Sequence, residues 1–229
     1  MPVRNNTVLT VLILSQLIAG STYLVVKLGL REFDPFSLGL IRFLIAGIVF
    51  SLLLAGRKDF RWFEKGDLGH FLWLALLSVP LNQGLFLYGM KYTLASHGAL
   101  LYASTPIMVL CLSCLVLGER PTFLKIAGIL LGLCGVLLVL FDRGLEFARH
   151  TITGDLLVLG GVITWSLYTI YSKKLLEKYR PLEVTGFSLS LGALLFLPVG
   201  LPFALRMDFS WVTGAGLFAL LYLALMTSV

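Results

Sequence analysis

Charged residues are scarce in this chain of 229 residues. Asp, Glu, Lys and Arg together make up 13% of it, against roughly 25% in an average soluble domain. Hydrophobic residues instead account for 58%. A soluble domain of this size cannot hide so much apolar side chain, because too few polar groups remain to cover its surface. The scarcity of charge therefore excludes a water-soluble fold and predicts a protein whose solvent is the lipid bilayer.

Cysteine and histidine are also sparse, with three residues of each. Cys111 and Cys114 form a C-x-x-C pair, but no second thiol pair or histidine stands at zinc-site spacing. These two residues and Cys134 lie inside apolar segments, where cysteine packs as a small hydrophobic residue. The sequence predicts neither a metal site nor a cofactor.

Basic residues exceed acidic ones and give a net charge of +6. They lie between the apolar runs, where positive charge sets topology and does not indicate nucleic-acid binding. With the N-terminus inside, eleven Lys and Arg residues fall on the inner side and six on the outer side. The sequence therefore predicts a multi-pass protein of the cell inner membrane with a cytoplasmic N-terminus.

Eight apolar segments approach the roughly 20 residues that a transmembrane helix needs. They lie near residues 8–30, 36–55, 68–91, 95–117, 122–141, 154–176, 183–203 and 213–229. The connections between them are short and polar, and none can hold a soluble domain. All chemistry is therefore expected within the helices or at their ends.

The sequence aligns with itself at an offset of 146 residues. Residues 19–27 then lie over 165–173, Pro35 over Pro181, and residues 67–83 over 213–229. Five spans precede the second copy, so it enters the membrane from the opposite side. Inverted repeats are typical of secondary transporters, whose site lies near the midplane. The predicted domains are a first repeat over residues 1–145 and an incomplete second repeat over residues 146–229.

Several motifs resemble the EamA-type family of the drug/metabolite transporter superfamily. They are Ala19-Gly20-Ser21-Thr22-Tyr23, Asp34-Pro35-Phe36, Leu40-Ile41-Arg42-Phe43, Ser104-Thr105-Pro106, Leu117-Gly118-Glu119-Arg120-Pro121, Gly154-Asp155-Leu156 and Trp165-Ser166-Leu167-Tyr168. The resemblance implies an all-α membrane protein with ten helices in two inverted five-helix repeats. It also implies a central cavity that moves metabolites, often outward. About eight of the ten helices are present, so the end of the second repeat is expected to be missing.

Polar, small and aromatic residues on apolar helices are candidates for lining such a cavity. On the first helix Gln16, Gly20 and Tyr23 share one face. On the sixth helix Trp165 and Tyr168 form an aromatic wall that suits an apolar or cationic ligand. Helix packing through Gly20 and ordinary packing of the aromatic rings explain both features equally well.

The third helix carries Asn82 and Gln83 near its middle, just after Pro80. Amides in hydrocarbon must find partners, and interhelical hydrogen bonds there contribute about 0.6–2 kcal/mol. Lining the cavity is favoured over a purely structural role for this pair. Pro80 removes a backbone donor and predicts a kink.

The fourth helix places Tyr102 and Thr105 beside Pro106, which predicts a second kink and leaves the carbonyl of Tyr102 short of a partner. At the inner end of this helix Glu119 and Arg120 are candidates for a gate. A bent helix without a role in binding explains each proline alone. The coincidence of polar residues around Pro106 is a stronger signal, and a site there is as good an interpretation as a simple bend.

Arg42 is the one basic residue clearly within a span. A charge at the bilayer centre costs about 2.5–3.5 kcal/mol on insertion scales, so such a residue is a functional candidate. A structural tie, or a side chain that reaches outward to the interface, is an equally good interpretation.

The motifs of other classes are missing. No H-E-x-x-H, acidic pair at depth or nucleophile with a base is present, so the protein is not expected to be an enzyme. A channel would favour rings of like charge, and a nucleotide-sugar carrier would need more buried basic residues than Arg42. The inverted repeat and the prolines within helices therefore predict a carrier that works by alternating access. The family resemblance implies that this carrier exports small amphipathic metabolites such as amino acids. Its expected partners are that small-molecule substrate and the bilayer; a homodimer and proton coupling stay open.

Overall fold

The described residues form eight helices, in the order that the sequence predicts. The computed structural model describes residues 5–57, 62–118, 120–143 and 149–228, and all regular structure in these ranges is helical. The uninterrupted helices are α1 at Asn5–Gly29, α2 at Pro35–Ala55, α5 at Phe123–Arg143, α6 at Arg149–Leu176 and α7 at Pro181–Arg206. The prediction of an all-α membrane protein is confirmed.

The other three helices are built from more than one segment. Helix α3 joins a 3-10 turn at Lys65–Asp67, an α-helix at Leu68–Leu76, a π-helix at Leu77–Gln83 and an α-helix at Gly84–Tyr92. Helix α4 consists of Ala95–Ala103 and Thr105–Leu117, and α8 of Gly214–Tyr222 followed by a π-helix at Leu223–Thr227. A 3-10 turn at Phe209–Trp211 connects α7 to α8.

Six of the described helices are long and apolar enough to cross a membrane. They cover Leu9–Gly29, Pro35–Ala55, Lys65–Tyr92, Ala95–Leu117, Thr151–Leu176 and Pro181–Arg206. Large apolar side chains also cover the outer surface; Leu115 and Phe123, for example, are 81% and 85% exposed. Such a surface aggregates in water and is solvated by lipid tails. The chain is therefore a multi-pass membrane protein.

The starts of α2 and α7 share a proline at the first helical position, where its missing N–H has no cost. Pro35 follows Asp34, whose carboxylate accepts a hydrogen bond of 2.9 Å from the backbone N of Phe36. Pro181 opens α7, and the Glu183 carboxylate accepts from the backbone N of Arg180 at 3.0 Å. These caps fix where each helix begins.

The helix pairs follow the 146-residue offset. Helix α1 packs on α8, α6 packs on α3, and α2 packs on α7. At an offset of 146 residues, α1 corresponds to α6, α2 to α7 and α3 to α8. The α1–α8 pair therefore corresponds to the α6–α3 pair, and the α2–α7 pair corresponds to itself. Helix α3 also contacts α7, as α8 contacts α2. The two π-helices obey the same relation, because Leu223 lies 146 residues after Leu77.

Two polar contacts at the ends of the bundle, here called ties, also correspond under the 146-residue offset. After α1, the Glu32 carboxylate accepts from the backbone N of Thr213 at 2.8 Å and from its hydroxyl at 2.7 Å. After α6, Lys178 donates to the Asp67 carboxylate at 2.7 Å. Lys178 and Thr213 stand 146 residues after Glu32 and Asp67. Helix α2 runs between the two connections, so the ties close opposite ends of the bundle.

The charges at these two ties are stabilised by their partners. The hydrogen bonds from Thr213 hold the pKa of Glu32 below its usual value. The hydrogen bonds that Lys178 donates to Asp67 and Glu64 raise the pKa of Lys178 above its usual value. Both side chains therefore stay ionised around neutral pH. The Glu32 contact is lost as the pH falls through its lowered pKa, and the Lys178 contact is lost as the pH rises through its raised pKa.

Candidate functional site

A cavity of about 360 Å³ lies in the middle of the bundle, between six helices. Its lining residues come from α1, α2, α3, α4, α6 and α8; they are Ser15, Ile18, Ala19, Thr22, Tyr23, Arg42, Asn82, Gln83, Phe86, Tyr102, Trp165, Met226 and Thr227. The volume lies at the lower end of the range for small-molecule sites. Polar groups and aromatic rings thus meet at the centre of an otherwise apolar bundle.

The two π-helices contribute residues from opposite halves of the chain. Asn82 and Gln83 end the first, and Met226 and Thr227 end the second. A π-helical turn is wider than an α-helical turn and is frequent at functional sites. Pro80 lies inside the first, but the second has no proline. The proline therefore does not by itself account for this geometry.

Asn82 is completely buried and connects three helices. Its Nδ2 donates to the Tyr102 hydroxyl on α4 at 2.8 Å and to the carbonyl of Gly161 on α6 at 2.7 Å. The Gly161 carbonyl can only accept, so the Asn82 amide must point its NH₂ group there. Its Oδ1 then accepts from Gln83 Nε2 at 2.7 Å. That arrangement leaves Gln83 Oε1 buried without a partner among the described residues.

Arg42 lies on the other polar wall and is 4% exposed. Its Nε donates to the Ser228 hydroxyl at 2.7 Å and its Nη2 to the Thr227 hydroxyl at 2.8 Å. The guanidinium carbon also lies 4.8 Å from the centre of the Phe43 ring. No carboxylate of the described ranges pairs with it, and Nη1 has no hydrogen-bond partner there. The positive charge of Arg42 is therefore uncompensated within the described bundle.

Aromatic rings form the remaining wall. Tyr23, Phe86 and Tyr102 contact one another, with ring centroids 5.1–6.1 Å apart. Trp165 faces the cavity and stacks on Tyr168 behind it, at 5.0 Å and an interplanar angle of 17°. Aromatic faces and edges of this kind pack well against an apolar or planar ligand.

The structure brings five of the nine predicted lining residues together around this cavity: Tyr23, Asn82, Gln83, Tyr102 and Trp165. Gln16 and Gly20 instead lie on an exposed face of α1, and no other described helix comes within 4 Å of a Cβ built on Gly20. Their neighbours Ser15 and Ala19 line the cavity in their place. Tyr168 is buried in a cluster with other rings behind Trp165.

Of the predicted kink and gating residues, Pro80, Pro106 and Arg120 are not among those that line the cavity. Helix α4 is interrupted at Ser104, and Pro106 opens its second half beside a groove between α4 and α5. The Thr105 hydroxyl donates to the carbonyl of Tyr102 at 2.6 Å, so the prediction that this carbonyl lacks a partner is wrong. Arg120 is exposed, and Glu119 lies outside the described residues.

A second polar cluster was not predicted as a site. Buried His97 on α4 places Nδ1 3.0 Å from Oδ2 of Asp155 on α6. The hydroxyl of Thr93 donates to the other oxygen of the same carboxylate. Asp155 stands in the Gly154-Asp155-Leu156 motif, and Gly154 allows the close approach of α6 to α3 that brings these groups together. The cluster ties three helices at one end of the bundle.

Comparisons with known proteins identify the fold and the family. The model of the EamA-like transporter family matches residues 6–141 and again residues 152–229. An uncharacterized transporter of Archaeoglobus fulgidus is 32% identical over 98% of this chain and 77% of its own length. The uncharacterized transporter YetK of Bacillus subtilis is 33% identical over 93% of this chain.

The chain spans 65% of YetK, so it corresponds to about two thirds of that relative. One protein of known crystal structure shares the fold with a TM-score of 0.64, at 20% identity, over 92% of this chain and 74% of that chain. The family model covers most of the sequence, and the A. fulgidus relative is aligned along nearly all of it. The chain therefore belongs to the EamA-like transporter family of the drug/metabolite transporter superfamily.

Proposed function

We propose that this chain carries a small amphipathic metabolite, such as an amino acid or a related compound, through the central cavity by alternating access. The observation that carries the proposal is the cavity itself, in which polar groups without partners face aromatic rings at the centre of an apolar bundle. Groups of this kind are costly in a membrane protein, so they mark the path of a solute. The lining residues offer no nucleophile with an adjacent base, which favours a carrier over an enzyme.

The correspondence between the two parts of the chain supports alternating access. We propose that residues 1–145 and 146–229 form inverted repeats, each contributing one π-helix to the cavity. The Glu32–Thr213 tie and the Lys178–Asp67 tie lie at corresponding positions but at opposite ends of the bundle. Rocking one repeat against the other breaks one tie while it keeps the other, and so opens the cavity to one side at a time.

The cavity also bears on the choice between carrier types. A volume of about 360 Å³ suits a solute the size of an amino acid and is small for a nucleotide sugar. Arg42 is the one Lys or Arg among its lining residues. For the setting we propose the cell inner membrane with the N-terminus in the cytoplasm, on the distribution of basic residues. We propose outward transport on the family resemblance alone.

The test is solute flux into and out of liposomes that contain the purified protein, with and without a pH gradient. The panel holds amino acids, small organic acids and amines. We expect saturable flux of at least one solute, and we expect Trp165→Ala to raise its half-saturation concentration about tenfold, because the ring supplies about 1.5 kcal/mol of contact. Trp211→Ala is the matched control, since that ring is 80% exposed.

Equal flux in both tryptophan variants would place the solute path outside the cavity. Flux no higher than in empty liposomes, for the whole panel, would contradict the carrier proposal itself. Dependence on the pH gradient would identify proton coupling.

A further inference from the structure

We infer that Arg42 binds the carboxylate group of the transported solute, and that the cavity therefore selects organic acids or amino acids over neutral compounds and amines of the same shape. This inference rests on the proposed carrier function and specifies its substrate class. Three independent observations carry it: an unpaired buried charge, a single-arginine cavity and a difference between the two halves of the chain.

The first observation is the incomplete set of partners around the guanidinium group. Its Nε and Nη2 atoms donate to hydroxyls, which carry no charge, and Nη1 donates to nothing in the described structure. A buried ion normally has both a counter-ion and a full set of hydrogen bonds. A ligand anion in the adjoining cavity supplies both at once.

The second observation concerns the kind of anion. A guanidinium group matches the two oxygens of a carboxylate and forms strong charge-assisted hydrogen bonds with them. A phosphate group carries up to two charges, and the lining offers no second basic side chain to balance them. The single Arg42 therefore fits a monocarboxylate better than a phosphate ester.

The rest of the lining defines the body of such a solute. Gln83 Oε1 is a buried acceptor without a partner and can receive a hydrogen bond from an ammonium or hydroxyl group. The rings of Tyr23, Phe86 and Trp165 provide an apolar wall. An acid with a hydrogen-bond donor and an apolar side chain can contact Arg42, Gln83 and the aromatic wall at the same time.

The third observation separates a binding role from a structural one. Ser188 on α7 stands at the position that corresponds to Arg42 on α2, and it is equally buried. A charge that the shared fold required would be expected in both halves. Its presence in one half alone indicates that it serves the cavity and not the packing of α2 against α7.

The test compares acids with their own amides, which differ from them in charge and hardly in shape. The probes are L-leucine with L-leucinamide, 4-methylpentanoate with 4-methylpentanamide, and 3-phenylpropanoate with 3-phenylpropanamide. Binding to the purified protein in lipid nanodiscs is measured by calorimetry at constant pH. We expect at least one acid to bind about 10- to 100-fold more tightly than its amide, as one charge-assisted contact provides.

Arg42→Gln is expected to remove this preference, and Arg42→Lys to keep part of it, because lysine retains the charge but loses the planar fork. The acid-to-amide ratio is taken within each variant, so a general loss of stability cancels. If Arg42→Gln does not fold, the reduced ratio in Arg42→Lys is the readout. Inorganic phosphate is the control anion and is expected to bind more weakly than the best acid.

Amides that bind as tightly as their acids, a preference that survives in Arg42→Gln, or no binding by any acid would each overturn the inference. Tighter binding of phosphate would assign Arg42 to a different anion and would overturn it too. The carrier proposal is judged separately, since saturable flux of a neutral solute that Arg42→Gln leaves unchanged would support a carrier without a carboxylate site.

Discussion

Asn82→Ala is expected to lower the rate of solute transport at least tenfold and to destabilise the protein by about 2–4 kcal/mol. The asparagine side chain joins α3 to α4 and α6, and its removal deletes its hydrogen bonds to the Gly161 carbonyl, the Tyr102 hydroxyl and the Gln83 amide. Interhelical hydrogen bonds in membranes contribute about 0.6–1.7 kcal/mol each. Two of them are lost together, along with the hydrogen bond to Gln83 on the same helix. The polar wall of the cavity also loses its fixed shape.

The measurement for Asn82→Ala is initial flux in liposomes, together with the temperature at which the detergent-solubilised protein loses its folded elution peak. Gln16→Ala is the matched control, because it also removes an amide from an apolar helix but lies on the exposed face of α1. We expect that control to behave like the unchanged protein. Normal flux in Asn82→Ala would show that the network does not shape the transport path.

Gly154→Val is expected to have the second large effect, through the crossing of α3 and α6. A Cβ atom at this position would lie 2.7 Å from the backbone N of Thr93 and 2.8 Å from the carbonyl of Gly89. Backbone atoms cannot rotate away, so the helices must separate. Overpacking of this kind costs about 1–3 kcal/mol, and the separation also draws Asp155 away from His97.

The measurement for Gly154→Val is again thermal stability in detergent, with Gly69→Ala as the control. Gly69 lies on α3, and the described structure leaves open space around its added Cβ. We expect the control to change stability by less than about 1 kcal/mol, the size of the glycine-to-alanine helix preference. A Gly154→Val protein as stable as the control would mean that the helices cross less closely than the structure indicates.

Helix order was predictable from the sequence because long apolar runs and capping residues are local signals. Asp34 and Pro35 mark the start of α2, and Pro181 marks the start of α7. The family resemblance was carried by such local motifs, and the family model confirms it. The amides Asn82 and Gln83 also stood out, since few residues of that kind occur in hydrocarbon.

The sequence could not predict which face of α1 lines the cavity. Polar or small residues stand at adjacent positions, as in Ser15 with Gln16 and Thr22 with Tyr23, so periodicity alone allows two faces about 100° apart. Only the positions of α3, α6 and α8 decide between them. The structure turns Ser15 and Thr22 to the cavity and leaves Gln16 outside.

Other features depend on residues far apart in the chain. Arg42 donates to Thr227 and Ser228, more than 180 positions away, and no pattern near Arg42 specifies these partners. The π-helix of α8 has Met226 where α3 has Pro80, so no helix-breaking residue in the sequence indicates this second π-helix. These are tertiary effects, and they shape the cavity more than local propensity does.

The central claim is that a solute crosses the membrane through the cavity between the two halves. The most direct test places a single thiol in its lining by Thr22→Cys, with Cys111, Cys114 and Cys134 changed to serine, and measures flux before and after a small methanethiosulfonate reagent. We predict that modification stops flux and that saturating substrate slows the modification. Unchanged flux after complete modification of this position would contradict the account.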